Sequence, residues 1–134
     1  ELYRCLIRYN YRYEGIPIIN DDINMDNPIE VEIVNGEVKR YRRIVKNIRI
    51  TEEEKILKNP LEIIDILLMR LNRYKNIDMK DIRIEDMYMS YLEYGIDIPT
   101  SMIPVWVVEI EGDFKDAGKY ILNAESGVIL YEPY

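Results

Sequence analysis

The residues whose spacing comes nearest to chemistry are the acids and amides of Asn20-Asp21-Asp22-Ile23-Asn24-Met25-Asp26. Counted from Asp22, oxygen side chains fall at Asp22, Asn24 and Asp26, the alternate spacing with which a calcium loop begins. The pattern then breaks. Asn27 stands where the loop's sharp turn needs glycine, and Ile33 where a bidentate glutamate would close the coordination shell. Asp and Asn also favour turns through contacts with their own backbone, so an ordinary polar loop is expected here, and no metal.

Other reactive groups are sparse. The chain has no histidine, which removes the usual neutral-pH base and the commonest metal ligand. Cys5 is the only cysteine, so neither an intramolecular disulfide nor a cysteine-based zinc site can form. The hydroxyls are Ser90, Ser101, Ser126, Thr51 and Thr100; none lies in a nucleophile elbow, and no glycine-rich phosphate loop occurs. Paired carboxylates could serve hydrolysis, but with 25 acids in the chain no pair stands out. A non-enzymatic protein with no catalytic residue and no cofactor is the expectation.

Binding surfaces are better represented. Lys39, Arg40, Arg42, Arg43, Lys46 and Arg49 form a basic run, suited to anionic lipid head groups or an acidic partner. The favoured reading is an edge strand guarded by long cations against pairing with other chains. Twelve tyrosines offer a recognition surface, although most occupy strand positions where cross-strand packing would take them; Tyr88 and Tyr94 are expected among the exposed ones. Ile96, Ile98, Met102 and Ile103 are apolar on what reads as a connection, so they form a possible partner-contact patch. Folding back over the sheet accounts for them equally well.

The elements that must position these groups follow from periodicity. Tyr3, Cys5, Ile7, Tyr9, Tyr11 and Tyr13 alternate with Arg4, Arg8, Asn10 and Arg12, predicting one long half-buried strand with an aromatic face. Gly15 and Pro17 end it. Ile29, Val31 and Ile33 alternate with Glu30 and Glu32, and Asn35-Gly36 predicts a tight hairpin turn into a return strand from Glu37 to about Ile48. Thr51 with Glu54 and Asn59 with Glu62 have capping-box spacing, and Pro60 sits in the first helical position. A short turn over 52–57 and a helix from Pro60 to about Tyr74 are expected, the helix buried through Leu61, Ile64, Leu68 and Leu71, with Ile63 and Leu67 widening the stripe. Residues 80–94 return to strand character with a bulge near Glu85 and Asp86. A loop through Pro99 leads to a strand over 105–111, and 119–122 with 128–131 make a last hairpin turning at Gly127.

Two halves share this order of parts, each a tyrosine-rich strand, a Gly-Ile element ending in proline, and further strands with an Asn-Gly or Ser-Gly turn. Residues 1–50 are expected to form a first β-sheet half, an incomplete repeat whose helix lies upstream of Glu1. Residues 51–134 form a helix-plus-antiparallel-sheet half, and the two pack as one unit. The fold class is α+β, antiparallel sheets with one main helix packed on them. At 134 residues, 48% of them apolar and 32% charged, the chain can bury a core without staples. Its net charge of -7 disfavours nucleic acid as a partner. Glu1 is not an initiator methionine and Leu2 is already in strand rhythm, so the chain is expected to be part of a longer one.

The segment Tyr11-Arg12-Tyr13-Glu14-Gly15-Ile16-Pro17-Ile18, followed by Ile29-Glu30-Val31-Glu32-Ile33-Val34-Asn35-Gly36-Glu37-Val38, resembles the YycI family, accessory regulators of an essential bacterial cell-wall two-component system. Pro104-Val105-Trp106-Val107-Val108 and Tyr120-Ile121-Leu122-Asn123-Ala124-Glu125-Ser126-Gly127 support the likeness. That ending is also similar to the broader PepSY-like pattern. The resemblance spans the chain from about Tyr3 onward and implies tandem PepSY-like halves, an N-terminal transmembrane anchor, and a domain on the extracytoplasmic face of the cell membrane. Its implied partners are a YycH-like protein and the ectodomain of a sensor histidine kinase, with signal transduction modulated through binding. A PepSY-like module that inhibits or chaperones a secreted peptidase or peptide is the alternative.

Overall fold

Asn59 and Glu62 satisfy each other's backbone at the start of the main helix. The Asn59 side-chain oxygen accepts the Glu62 N–H at 3.0 Å, and the Glu62 carboxylate accepts the Asn59 N–H at 2.8 Å. With Pro60 preset at the first position, this reciprocal cap nucleates helix α1, Pro60–Met69, which continues as a π-helical turn over Arg70–Tyr74. The computed structural model describes residues 1–20, 29–43, 55–94 and 101–133. The Thr51–Glu54 pair, the Asp22/Asn24/Asp26 stretch, Lys46, Arg49 and the end of the return strand toward Ile48 lie outside them.

Helix α1 and nine strands make a mixed α+β arrangement of two sheets. The strands are β1 Arg4–Tyr9, β2 Arg12–Tyr13, β3 Ile16–Asn20, β4 Ile29–Val34, β5 Glu37–Arg43, β6 Arg83–Tyr94, β7 Ser101–Glu111, β8 Gly118–Asn123 and β9 Ile129–Tyr131; the helix falls between β5 and β6. A three-stranded antiparallel sheet has the order β1-β4-β5, and a six-stranded sheet the order β2-β3-β6-β7-β8-β9. Every pairing is antiparallel except β3 with β6, where Ile18, Ile19 and Asn20 run beside Tyr91, Leu92 and Glu93.

The core sits between α1 and the larger sheet. Ile63, Leu67 and Leu71, spaced four apart on one face of the helix, pack on Val108, Ile110, Tyr120 and Leu122, all buried. All three lie within the expected broad face, but the buried stripe is rotated across it: Leu61 is 73% exposed, and Ile63 and Leu67, expected to widen the stripe, carry it with Leu71. The segment before the helix is tied down by two hydrogen bonds, Lys58 N–H to the Ala124 carbonyl at 2.7 Å and Trp106 Nε1–H to the Lys58 carbonyl at 3.0 Å. Those bonds set the angle at which α1 lands on the sheet, and with it which face turns inward. The opposite face of the sheet holds Leu92, Val105, Val107 and Ile121, also buried.

The tyrosine-rich segment is two strands, not one. β1 ends at Tyr9 in the small sheet, and β2 resumes at Arg12 in the large one, turning through Glu14 and Gly15, both at positive φ, into β3. Alternation alone does not reveal a change of sheet, because both strands keep the same parity. Nor is the odd-numbered face half-buried throughout: Tyr3, Cys5 and Tyr9 are exposed, whereas Tyr13 packs edge-on against Tyr91 with centroids 5.9 Å apart. Ser90 Oγ–H donates to the Pro17 carbonyl at 2.8 Å, fastening this hairpin to β6. Residues from the first fifty therefore extend the sheet built by the second half.

Two turns form as their residues demand. Asn35 and Gly36 both take positive φ between β4 and β5. Gly127, at φ +77°, closes the last turn against the helix, where a Cβ would come within 2.5 Å of Ile66 Cδ1. The bulge in β6 lies between Ile84 and Asp86.

Candidate functional site

Met102 and Ile103 belong to strand β7, not to a loop. They pair with Glu93 and Leu92 on β6, and Ile103 packs on the Leu92, Val105, Val107 and Ile121 cluster. Sheet packing accounts for Ile103, and Met102 is half-buried on the same strand; Ile96 and Ile98 lie outside the described residues. Tyr88 is likewise half-buried against that cluster, and the exposed tyrosines include Tyr3, Tyr9, Tyr41 and Tyr74 instead.

A concavity lies along the last strand of the six-stranded sheet. One wall comes from α1 and its π-helical turn through Ile66, Met69, Arg70 and Tyr74; the other comes from Gly127 and the β9 segment 129–132. The groove is open and encloses about 670 Å³. β9 ends the sheet, so no strand pairs with its outer edge among the described residues. Met69 and Tyr74 leave 48% and 74% of their surface exposed at the rim, a large apolar margin beside a free edge.

Arg70 and Glu132 join the two walls. The Arg70 fork donates to both carboxylate oxygens, Nη2 at 2.9 Å and Nε at 3.4 Å. The guanidinium also lies 5.4 Å from the Tyr74 ring centroid, within cation–π range. Lys75 Nζ stands 3.3 Å from Asp116 Oδ1 and 4.0 Å from Glu132 Oε2. Hydrogen bonding from Arg70 holds the Glu132 carboxyl below its ordinary value, against an opposing contribution from burial. The same bond raises the Arg70 guanidinium. Beneath them Tyr120 is fully buried and its hydroxyl donates to the Asp116 carbonyl at 2.7 Å. Burial pushes the Tyr120 phenol up to about 12, reinforced by Asp116 and Glu132 and opposed by Arg70.

Chemically, this cluster is a paired and locked set of charges. Each acid has a cation and the phenol has an acceptor, so the cluster orients the groove wall and offers no poised base. Among the described residues no group of three or more His, Cys, Asp and Glu is placed to hold a metal ion, and no helix is long and apolar enough to cross a membrane. Arg70 and Glu132 carry no mutual signal in the sequence, being 62 positions apart. The one hint was the turn at Gly127, which brings β9 back beside the helix.

No family model matches the chain, and neither curated proteins nor solved structures returned a match.

Proposed function

We propose that this protein is the extracytoplasmic regulatory domain of a membrane-anchored, YycI-like protein that modulates a sensor histidine kinase together with a YycH-like partner. It acts by binding, with unequal affinity for the kinase's signalling states, and so biases the equilibrium between them. The observation carrying this reading is how the resembling motifs are used. Val105–Val108 and Tyr120–Asn123 pair as neighbouring strands β7 and β8, and Asn123 to Gly127 makes the turn that follows. These segments build the buried centre of a sheet, the scaffold on which a binding module carries its surface. On this reading β6 to β9 with α1 across them are the second of two PepSY-like halves, whose sheet β2 and β3 of the first half extend. The test is capture of the YycH-like protein and the kinase ectodomain by the full-length, membrane-anchored protein. Retention of both is expected; retention of neither removes the basis of the proposal.

The second reading, a PepSY-like module that inhibits or chaperones a secreted peptidase or a peptide, is favoured by the groove beside β9. A free strand edge can accept an extended segment as a further strand, while the apolar wall takes alternate side chains. A neighbouring gene for a secreted peptidase supports this reading, and one for a kinase and its response regulator supports the first.

A further inference from the structure

The two faces of the three-stranded sheet differ in what they carry. Glu30 and Glu32 of the central strand β4 point to one side, where Arg8 and Arg40 ion-pair with Glu30, and Arg4 and Arg40 with Glu32. Ile29, Val31 and Ile33 point to the other, because successive strand residues face opposite sides. Beside them the register sets Tyr9, Ile7 and Cys5 of β1, and Arg43, Tyr41 and Val38 of β5. This second face is apolar and largely bare. Tyr9, Val38 and Tyr41 are 54%, 62% and 61% exposed, Cys5 is exposed, and the aliphatic residues of β4 are only half-buried. None of them belongs to either core cluster. A strand alternating in this way lays its apolar side against another layer, and a small sheet gains its stability from that contact.

We propose that a second copy of this chain supplies the missing layer, the two small sheets packing face to face about a two-fold axis. Area and self-complementarity favour that occupant. The exposed fractions amount to on the order of 600 Å² of surface, one partner's share of a specific interface burying about 1,200 Å² in total. A two-fold axis along β4 lays β4 over β4 and exchanges β1 with β5. Aliphatic side chains then meet at the centre, Ile7 lies over the partner's Tyr41, and Cys5 over the partner's Val38. Arg43, the one charged side chain in these three rows, lies over the partner's Tyr9, whose ring face attracts a cation. No like charges are brought together, and the same patch serves both copies, so the assembly closes at two. The inference rests on this face and on neither reading of function given above.

Sedimentation velocity from about 1 to about 300 μM tests it. A species of twice the 16.1 kDa chain mass, dissociating on dilution, is expected. Cys5 lies on the covered face, so its labelling by excess iodoacetamide is expected to slow several-fold as the dimer forms. Tyr41→Lys places two cations in the interface and is expected to raise the dimer dissociation constant roughly tenfold or more, restoring fast labelling. Tyr74→Lys, at an exposed tyrosine on the helix, is expected to leave both readouts unchanged. Should Tyr41→Lys lose its circular-dichroism signature, Val38→Lys at an equally exposed site serves in its place, with the same effect expected. A monomer across the whole range overturns the proposal: fast Cys5 labelling would show the face open, and slow labelling would assign its cover to the chain itself. A dimer whose Cys5 stays reactive, that survives the folded lysine variant, or that Tyr74→Lys disrupts has its interface elsewhere, and overturns the proposal too.

Discussion

Tyr120 keeps a polar hydroxyl in a fully buried position by donating a hydrogen bond to the Asp116 carbonyl. Its phenol is raised from 10.0 to about 12 in the folded protein, chiefly by burial. An unfolded chain sheds that proton near pH 10 while the folded one retains it, so the unfolded state binds fewer protons between the two values. Stability is therefore complete below pH 10 and falls as the pH rises through about 12, by up to about 2–3 kcal/mol. Denaturant melts at about pH 9 and about pH 11 are expected to show a smaller alkaline loss for Tyr120→Phe than for the parent; equal losses would refute the assignment. Glu132 has the opposite sign: its lowered carboxyl contributes stability above the unfolded value, lost as pH falls through the folded one. Neither behaviour is legible in the sequence. Tyr120 reads as an ordinary strand tyrosine, and nothing near it foretells Arg70 or Glu132.

The helix shows what local sequence can and cannot say about an element. Its start was legible because the Asn59–Glu62 exchange and Pro60 operate within four consecutive residues. Replacing Asn59 with Ala should cost about 1 kcal/mol, read as a shift in urea midpoint at constant slope; an unchanged midpoint would mean that the Lys58 and Trp106 bonds alone hold the helix start. The buried face was legible in outline only. Ile63, Leu67 and Leu71 all lay within the expected broad face, and that Ile63 and Leu67 are buried while Leu61 is exposed depends on the angle at which the helix meets the sheet. Strand parity has a matching limit. The odd positions from Tyr3 to Tyr13 are all aromatic or apolar, yet the chain changes sheets between β1 and β2. Met102 and Ile103 likewise read as part of the loop through Pro99, yet they pair in β7, which accommodates Pro104 within it.

Across the whole molecule the two sheets differ in what holds them. The larger has buried residues on both faces, from Val105, Val107 and Leu92 on one to Val108, Tyr120 and Leu122 on the other. In the small sheet, the buried residue among those described is Glu30, under its arginines, while Tyr9, Val38 and Tyr41 are exposed. Amide hydrogen exchange is accordingly expected to be slowest in β6, β7 and β8 and faster in β1, β4 and β5, the smaller sheet opening without the larger. Equal protection in both would show that they unfold as one cooperative unit. The sequence by itself determined the mixed α+β class, the turns at Asn35-Gly36 and Gly127, the bulge in β6 and the helix cap, because each depends on residues within a few positions of one another. Tertiary structure alone decided the sheet to which each strand belongs, the helix face turned inward, the Arg70–Glu132 link and the arginine layer over Glu30 and Glu32. Those depend on contacts between distant segments, and the same local pattern is compatible with several such meetings.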